Sequence, residues 1–183
     1  HRLKAWVFLM PHKVQKLKTL LRKRGAEMPA FGLICAVLSN IGNMAAQDVL
    51  SSMLKESLGD IGRAVTVLGY MGRIEKPTAA TRDALLRVVR NTKEATLYES
   101  AALSLGASAL MSRAAEPGSE KALVGWIKKQ FMNRPSINRT ILLLRVIGNS
   151  GADTLLPLVK PYLRSKDDSI RAYAVQALRW FRS

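Results

Sequence analysis

Cysteine, histidine, aromatic residues and carboxylates are all scarce in this chain of 183 residues, and each shortage closes off a class of function. The single cysteine, Cys35, excludes an intramolecular disulfide and any thiolate metal cluster. It sits in the apolar run Phe31–Leu38 and reads as a small buried hydrophobe. The two histidines, His1 and His12, lack further ligands at helical spacing and a cysteine or carboxylate beside them, so neither a metal site nor an activated nucleophile can be built from them. No G-x-x-x-x-G-K-[ST] run is present to cradle phosphate. Glu94 and Glu99 share one predicted helix, but five positions apart they point away from each other and do not form an acid–base pair. The expectation is a protein that is not an enzyme and carries no cofactor or metal.

Long hydrophobic runs and strand-like alternation are missing too. No apolar stretch reaches the length of a membrane span. The short run Ala5–Met10 is cut by Pro11 and does not continue as a signal peptide. Nothing in the sequence fixes a compartment. Aromatics make up 6% of the chain and β-branched runs are few, which argues against sheets.

What is abundant is Ala, Leu, Arg and Lys, within 48% hydrophobic and 23% charged residues, the make-up of a helical globular chain. Apolar stripes of helical period recur along it. The first, Val14, Leu17, Leu20 and Leu21, belongs to a basic N-terminal helix within residues 1–29. Helices are then predicted at about Ala30–Ile41, ended by Gly42-Asn43, and at about Ala45–Leu58. Asp60 caps the next, which ends at Gly72, and Pro77-Thr78 starts another. Four more are expected at about Glu94–Arg113, Ser119–Asn133, Ser136–Ile147 and Ala152–Leu163, and the last spans Asp168–Phe181, with Asp168 capping its first turn. Trp126, Met53, Met71 and Met111 occupy apolar helical positions and read as core.

An internal repeat sets the architecture. Leu38-Ser-Asn-Ile41-Gly42-Asn43 recurs as Leu144-Arg-Val-Ile147-Gly148-Asn149; Leu68-Gly-Tyr-Met71-Gly72 is a third copy and Ala102-Leu-Ser-Leu105-Gly106 a degenerate fourth. The glycines lie 30, 34 and 42 residues apart. In each copy the Leu is expected to face the core and the glycine to permit the turn into the second helix of the pair. Such a device suits a solenoid, whose units bury their faces against neighbours. Asp168-Ser-Ile-Arg-Ala-Tyr-Ala-Val-Gln-Ala-Leu178 carries the D-x-I-R-x-x-A-x-x-A-L pattern of a HEAT repeat. The predicted fold is therefore all-α: an α–α superhelix, a HEAT-like solenoid of about five antiparallel helix pairs. Residues 1–183 are expected to form one such domain, a fragment of a longer chain, with the basic N-terminal helix at 1–29 and the helix pairs at 30–183.

Charge gives the surface signal. Twenty-nine Lys and Arg against 13 Asp and Glu leave +16, and residues 1–30 alone hold eight cations against Glu27. Such a field selects partners of negative charge. The candidate contacts are Lys13, Lys16, Lys18, Arg22, Lys23 and Arg24 near the N-terminus; Arg87, Arg90 and Lys93 at one helix end; Lys128 and Lys129; and Arg171, Arg179 and Arg182 on the last helix. An acidic protein partner comes first, with a lipid or anionic membrane surface and a nucleic-acid backbone as alternatives. Aromatics are not interleaved with these cations, which argues against base reading.

The second half also resembles a known family. Ile141-Leu-Leu-Leu-Arg-Val-Ile-Gly-Asn-Ser-Gly151, then Leu155-Leu-Pro-Leu-Val-Lys-Pro-Tyr-Leu163, then Ile170-Arg-Ala-Tyr-Ala-Val-Gln-Ala-Leu178 resemble successive segments of the vitellogenin-type helical domain. That domain is shared by vitellogenin, microsomal triglyceride transfer protein and the apolipophorins. Ala101-Ala-Leu-Ser-Leu-Gly-Ala-Ser108 is similar to another of its segments. The resemblance implies a helical arch that contacts partner proteins and embraces a lipid cavity walled by sheets elsewhere in such proteins. Cys35 stands alone where that family commonly pairs its cysteines.

Overall fold

The structure, a computed structural model, describes Thr19 and residues 28–181. The expected N-terminal helix therefore lies outside the described residues. Among those residues the helices are α1 (Met28–Ile41), α2 (Met44–Ser57), α3 (Ile61–Met71), α4 (Ala79–Asn91), α5 (Ala95–Arg113), α6 (Lys121–Met132), α7 (Ile137–Ser150), α8 (Leu156–Val159) and α9 (Asp168–Ala177). No strand occurs among them, and the fold is all-α, of the α–α superhelix class. Two compact units are divided between Ser104 and Leu105, within α5.

The helix starts follow from side-chain capping. The first N–H groups of a helix have no internal acceptor, and a short polar side chain just before it supplies one. Asn43 accepts from Ala46 N at 2.9 Å, Asp60 from Arg63 N at 3.1 Å, Thr78 from Thr81 N at 3.3 Å and Ser136 from Arg139 N at 3.4 Å. The last helix departs from expectation by one residue. Asp167, not Asp168, caps it by accepting from Ile170 N at 2.9 Å, while Asp168 pairs with Arg171 at 2.5 Å. A larger departure lies before it. The single helix expected over 152–163 is a 3-10 turn (Asp153–Leu155), the one-turn α8 and a second 3-10 turn (Lys160–Arg164). Pro157 and Pro161 remove two backbone donors, and each ring crowds the carbonyl four residues earlier, so a continuous α-helix cannot form.

In the first unit α1, α2 and α3 pack on one another and α2 also meets α4. Cys35, Leu38, Leu50, Leu68, Met71 and Leu85 are wholly buried there, and each large one adds about 1.5–3 kcal/mol of hydrophobic stabilisation. A polar node sits beside this core. Buried Gln47 donates through Nε2 to Gly42 O (2.7 Å) and Lys76 O (2.9 Å), and its Oε1 accepts from Thr78 N (2.8 Å) and Thr81 Oγ1 (2.7 Å). All the hydrogen-bonding capacity in that amide is used to tie the α1–α2 turn to the start of α4.

In the second unit α9 packs along α7 and against the 160–164 turn. Leu143, Leu144, Ile147 and Leu155 are wholly buried. Trp126 is buried as expected, and so are Met53 and Met71, but Met111 is 44% exposed and is not core. Arrayed on the outward side of α5, it shows that an apolar residue at helical spacing can still face water.

The repeated motif holds for its leucine in the three full copies and changes meaning for its glycine. Leu38, Leu68 and Leu144 are fully buried, while in the degenerate copy Leu105 is buried and Leu103 only part-buried. Gly42 does make the turn, in the left-handed conformation (φ +61) with its N–H donating to Leu38 O. The other three glycines do not. Gly106 and Gly148 lie inside helices, and Gly72 has ordinary right-handed geometry (φ −68). They are glycines because another helix comes too close for a side chain. A Cβ would fall 2.9 Å from Ser104 Cα at Gly72, 2.7 Å from Val146 O at Gly106 and 2.9 Å from Ala177 Cα at Gly148. The turn after α7 is made by Gly151 instead (φ +53).

Candidate partner-binding surface

A concavity in the first unit is lined by residues of α2, α4 and α5. Its floor is apolar: Leu54 from α2, Ala84 and Val88 from α4, and Leu97 from α5. These residues are core by their inward atoms and leave their outer edges in the cleft, whose volume is about 590 Å³. Leu58, just past α2, lines it while remaining substantially exposed. Lys55 stands on the α2 lip and Arg87 on the α4 lip, both exposed. Neither pairs with a carboxylate among the described residues, and no Asp or Glu lines the cleft.

Of the cations singled out from sequence, Arg87, Arg90 and Lys93 are exposed at the end of α4 and just beyond it. There they also complement the negative end of the helix dipole. Arg87 reaches the cleft; Lys55, its counterpart on the other lip, escaped sequence reasoning because only folding brings α2 beside α4. Lys128 and Lys129 are exposed on α6, and with Lys121 and Met132 they share one face of that helix at spacings of three, four and seven. Residues 121–152 hold six Lys and Arg and no Asp or Glu, a signal visible in the sequence once carboxylates rather than cations are sought. Met132 (82% exposed) and Ile137 (54%) stand out of the α6–α7 turn beside exposed Arg134, the only described non-glycine residue with positive φ (+49).

The cations of the last helix are engaged internally. Arg171 donates to Ser165 O at 2.8 Å and pairs with Asp168, and Arg179 donates to Asn149 Oδ1 at 3.1 Å. Lys13, Lys16, Lys18, Arg22, Lys23, Arg24 and Arg182 lie outside the described residues.

Titratable groups carry little chemistry. Burial pushes the Cys35 thiol up to about 12, which leaves it protonated and unreactive. Glu94 is held below its ordinary range because its carboxylate accepts from Leu97 N at 2.6 Å at the start of α5. Its role is a helix cap. Among the described residues no three His, Cys, Asp or Glu come together as metal ligands, and no helix is long and apolar enough to cross a membrane.

Comparison with known proteins places these features. No curated protein matches the chain. The family model of the Vitellogenin TPR domain matches residues 12–183, nearly its full length, including the glycine-bearing helix pairs and the Pro157–Pro161 segment. With its all-helical fold, the chain thus belongs to the Vitellogenin TPR domain family.

Proposed function

We propose that this domain is a non-catalytic helical scaffold that binds an acidic surface of a partner protein through its exposed cations. The observation that carries the reading is the pair Lys128 and Lys129, exposed on one face of α6 and without an ion pair among the described residues, in a segment, 121–152, that contains no Asp or Glu. Structural ion pairs would interleave signs along such a face; a surface with one sign only repels itself and attracts an opposite field. Family membership supports a scaffold role.

The test is fluorescence polarisation with labelled poly-glutamate, duplex DNA, single-stranded RNA and anionic vesicles, at low and at physiological salt. Poly-glutamate is expected to bind, more tightly at low salt, and Lys128→Glu with Lys129→Glu is expected to weaken it. Retention of DNA with no response to poly-glutamate would replace the acidic-protein reading with a nucleic-acid one.

A second reading has its own observation. Met132 and Ile137 project among these cations, and apolar side chains beside lysines also suit an anionic lipid surface. Vesicle binding that falls with Met132→Ser and Ile137→Ser, while poly-glutamate binding does not, would favour it.

A further inference from the structure

We infer that the cleft between α2 and α4 receives one acidic amphipathic helix from the partner protein. This rests on the acidic-partner reading and adds where and in what form that partner docks. Three features of the cleft converge on that occupant. Its floor of Leu54, Ala84, Val88 and Leu97 is apolar and lacks aromatic rings, so it offers no stacking platform for nucleobases. Its lips are cationic on both sides, with Lys55 on α2 and Arg87 on α4, and no carboxylate among the lining residues neutralises either. Finally, it opens to solvent, since Lys55, Leu58 and Arg87 in its lining are exposed.

The last feature separates a helix from an acyl chain. An acyl chain in a cleft open to solvent would leave part of its hydrocarbon in water. An amphipathic helix would not, because it lays apolar residues spaced at i, i+3 or i+4 and i+7 into the trough and turns its polar side outward. Acidic residues flanking that stripe would face Lys55 on one side and Arg87 on the other. Leu58, exposed at the edge, gives the incoming helix an apolar contact beyond the floor. The volume of about 590 Å³ takes several bulky side chains from one helix face.

The probe is a fluorescein-labelled amphipathic peptide with a leucine stripe flanked by glutamates, compared with a scrambled peptide of the same composition and with poly-glutamate. The ordered peptide is expected to bind more tightly than either control. Lys55→Glu with Arg87→Glu is expected to weaken it about tenfold or more, since both lips then repel the flanks. Ser51→Trp, which places a large side chain in the cleft from the rim, should do the same while poly-glutamate binding is retained. Circular dichroism melts establish that each variant is folded, and the exposed lip pair supplies the decisive variant if the tryptophan disturbs packing. Wild type that binds poly-glutamate but treats ordered and scrambled peptides alike, or ordered-peptide binding unchanged in the lip variant, overturns the cleft assignment alone. Failure of poly-glutamate and ordered peptide together overturns the acidic-partner reading along with it. Saturable uptake of a fluorescent fatty acid that is lost in Ser51→Trp, with no peptide binding, would assign the cleft to an acyl chain instead.

Discussion

Gly148 of α7 lies so close to α9 that a β-carbon on it would stand 2.9 Å from the Cα of Ala177. The neighbouring atom belongs to backbone and cannot swing aside. Gly148→Ala should therefore force the helices apart and destabilise the protein by about 1–3 kcal/mol, despite the better helix propensity of alanine. Gly125, on the exposed face of α6 with nothing within 4 Å of its would-be Cβ, makes the contrast. There alanine should stabilise by up to about 1 kcal/mol. Urea denaturation of both variants checks the pair, and equal effects of the same sign would contradict the close-approach account.

Gln47 should be the most sensitive polar position in the first unit. Gln47→Leu keeps the approximate volume but strands Thr78 N and Thr81 Oγ1 without their acceptor and two carbonyls without their donor. A loss of about 1–3 kcal/mol is expected, more if several groups fail to find water. Hydrogen exchange should localise the effect, with the Thr78 amide losing protection first.

Acid should weaken the start of α5 through Glu94. Its folded carboxyl titrates below the unfolded value because the carboxylate accepts from Leu97 N. The stabilisation is thus fully present above the unfolded pKa of about 4.3 and is lost as pH falls through the folded value. Glu94→Gln should lower the melting temperature at neutral pH, with the gap to wild type closing in acid. A gap that widens as pH falls would reverse the assigned sign.

Cys35 should resist thiol reagents in the native state. It is fully buried and its thiol is pushed up to about 12, so at pH 8 almost no thiolate is present. Labelling by a disulfide reagent should proceed only as fast as the protein opens, and should complete at once in urea. Cys35→Ser should cost about 1–3 kcal/mol by placing a hydroxyl in apolar surroundings. Rapid native labelling would mean the site is open to solvent.

The helices were legible in sequence wherever a local signal decided them. Asp60, Thr78 and Ser136 cap helices by bonds that span three residues, and the Gly42-Asn43 stop is equally local. Prolines at 157 and 161 were also in view, but their placement one turn apart decides whether a helix merely kinks or breaks into 3-10 turns. The glycines show the limit more sharply. In sequence Gly42 and Gly148 sit in near-identical contexts, yet one turns the chain and the other admits a neighbouring helix. That difference is set by Ala177, 29 residues further on, and no local pattern contains it. The cleft follows the same logic, since Lys55 and Arg87 become neighbours of one trough only through the packing of α2 with α4. Arg171 and Arg179 hydrogen-bond to the Ser165 carbonyl and the Asn149 side chain, partners that no reading of the last helix alone contains.

The stretch from Lys121 to Ala152 without a single carboxylate also bears on how the molecule can be studied. Like charges such as the neighbouring exposed Lys128 and Lys129, held on a folded helix, lie closer together than in an expanded chain, which adds a repulsion that the unfolded state partly escapes. Any polyanion that settles on that segment relieves this repulsion and raises the melting temperature, the more so the further its concentration exceeds its dissociation constant. The domain is in this sense its own reporter: a thermal-shift screen across acidic proteins, lipids and nucleic acids can rank candidate ligands without a label.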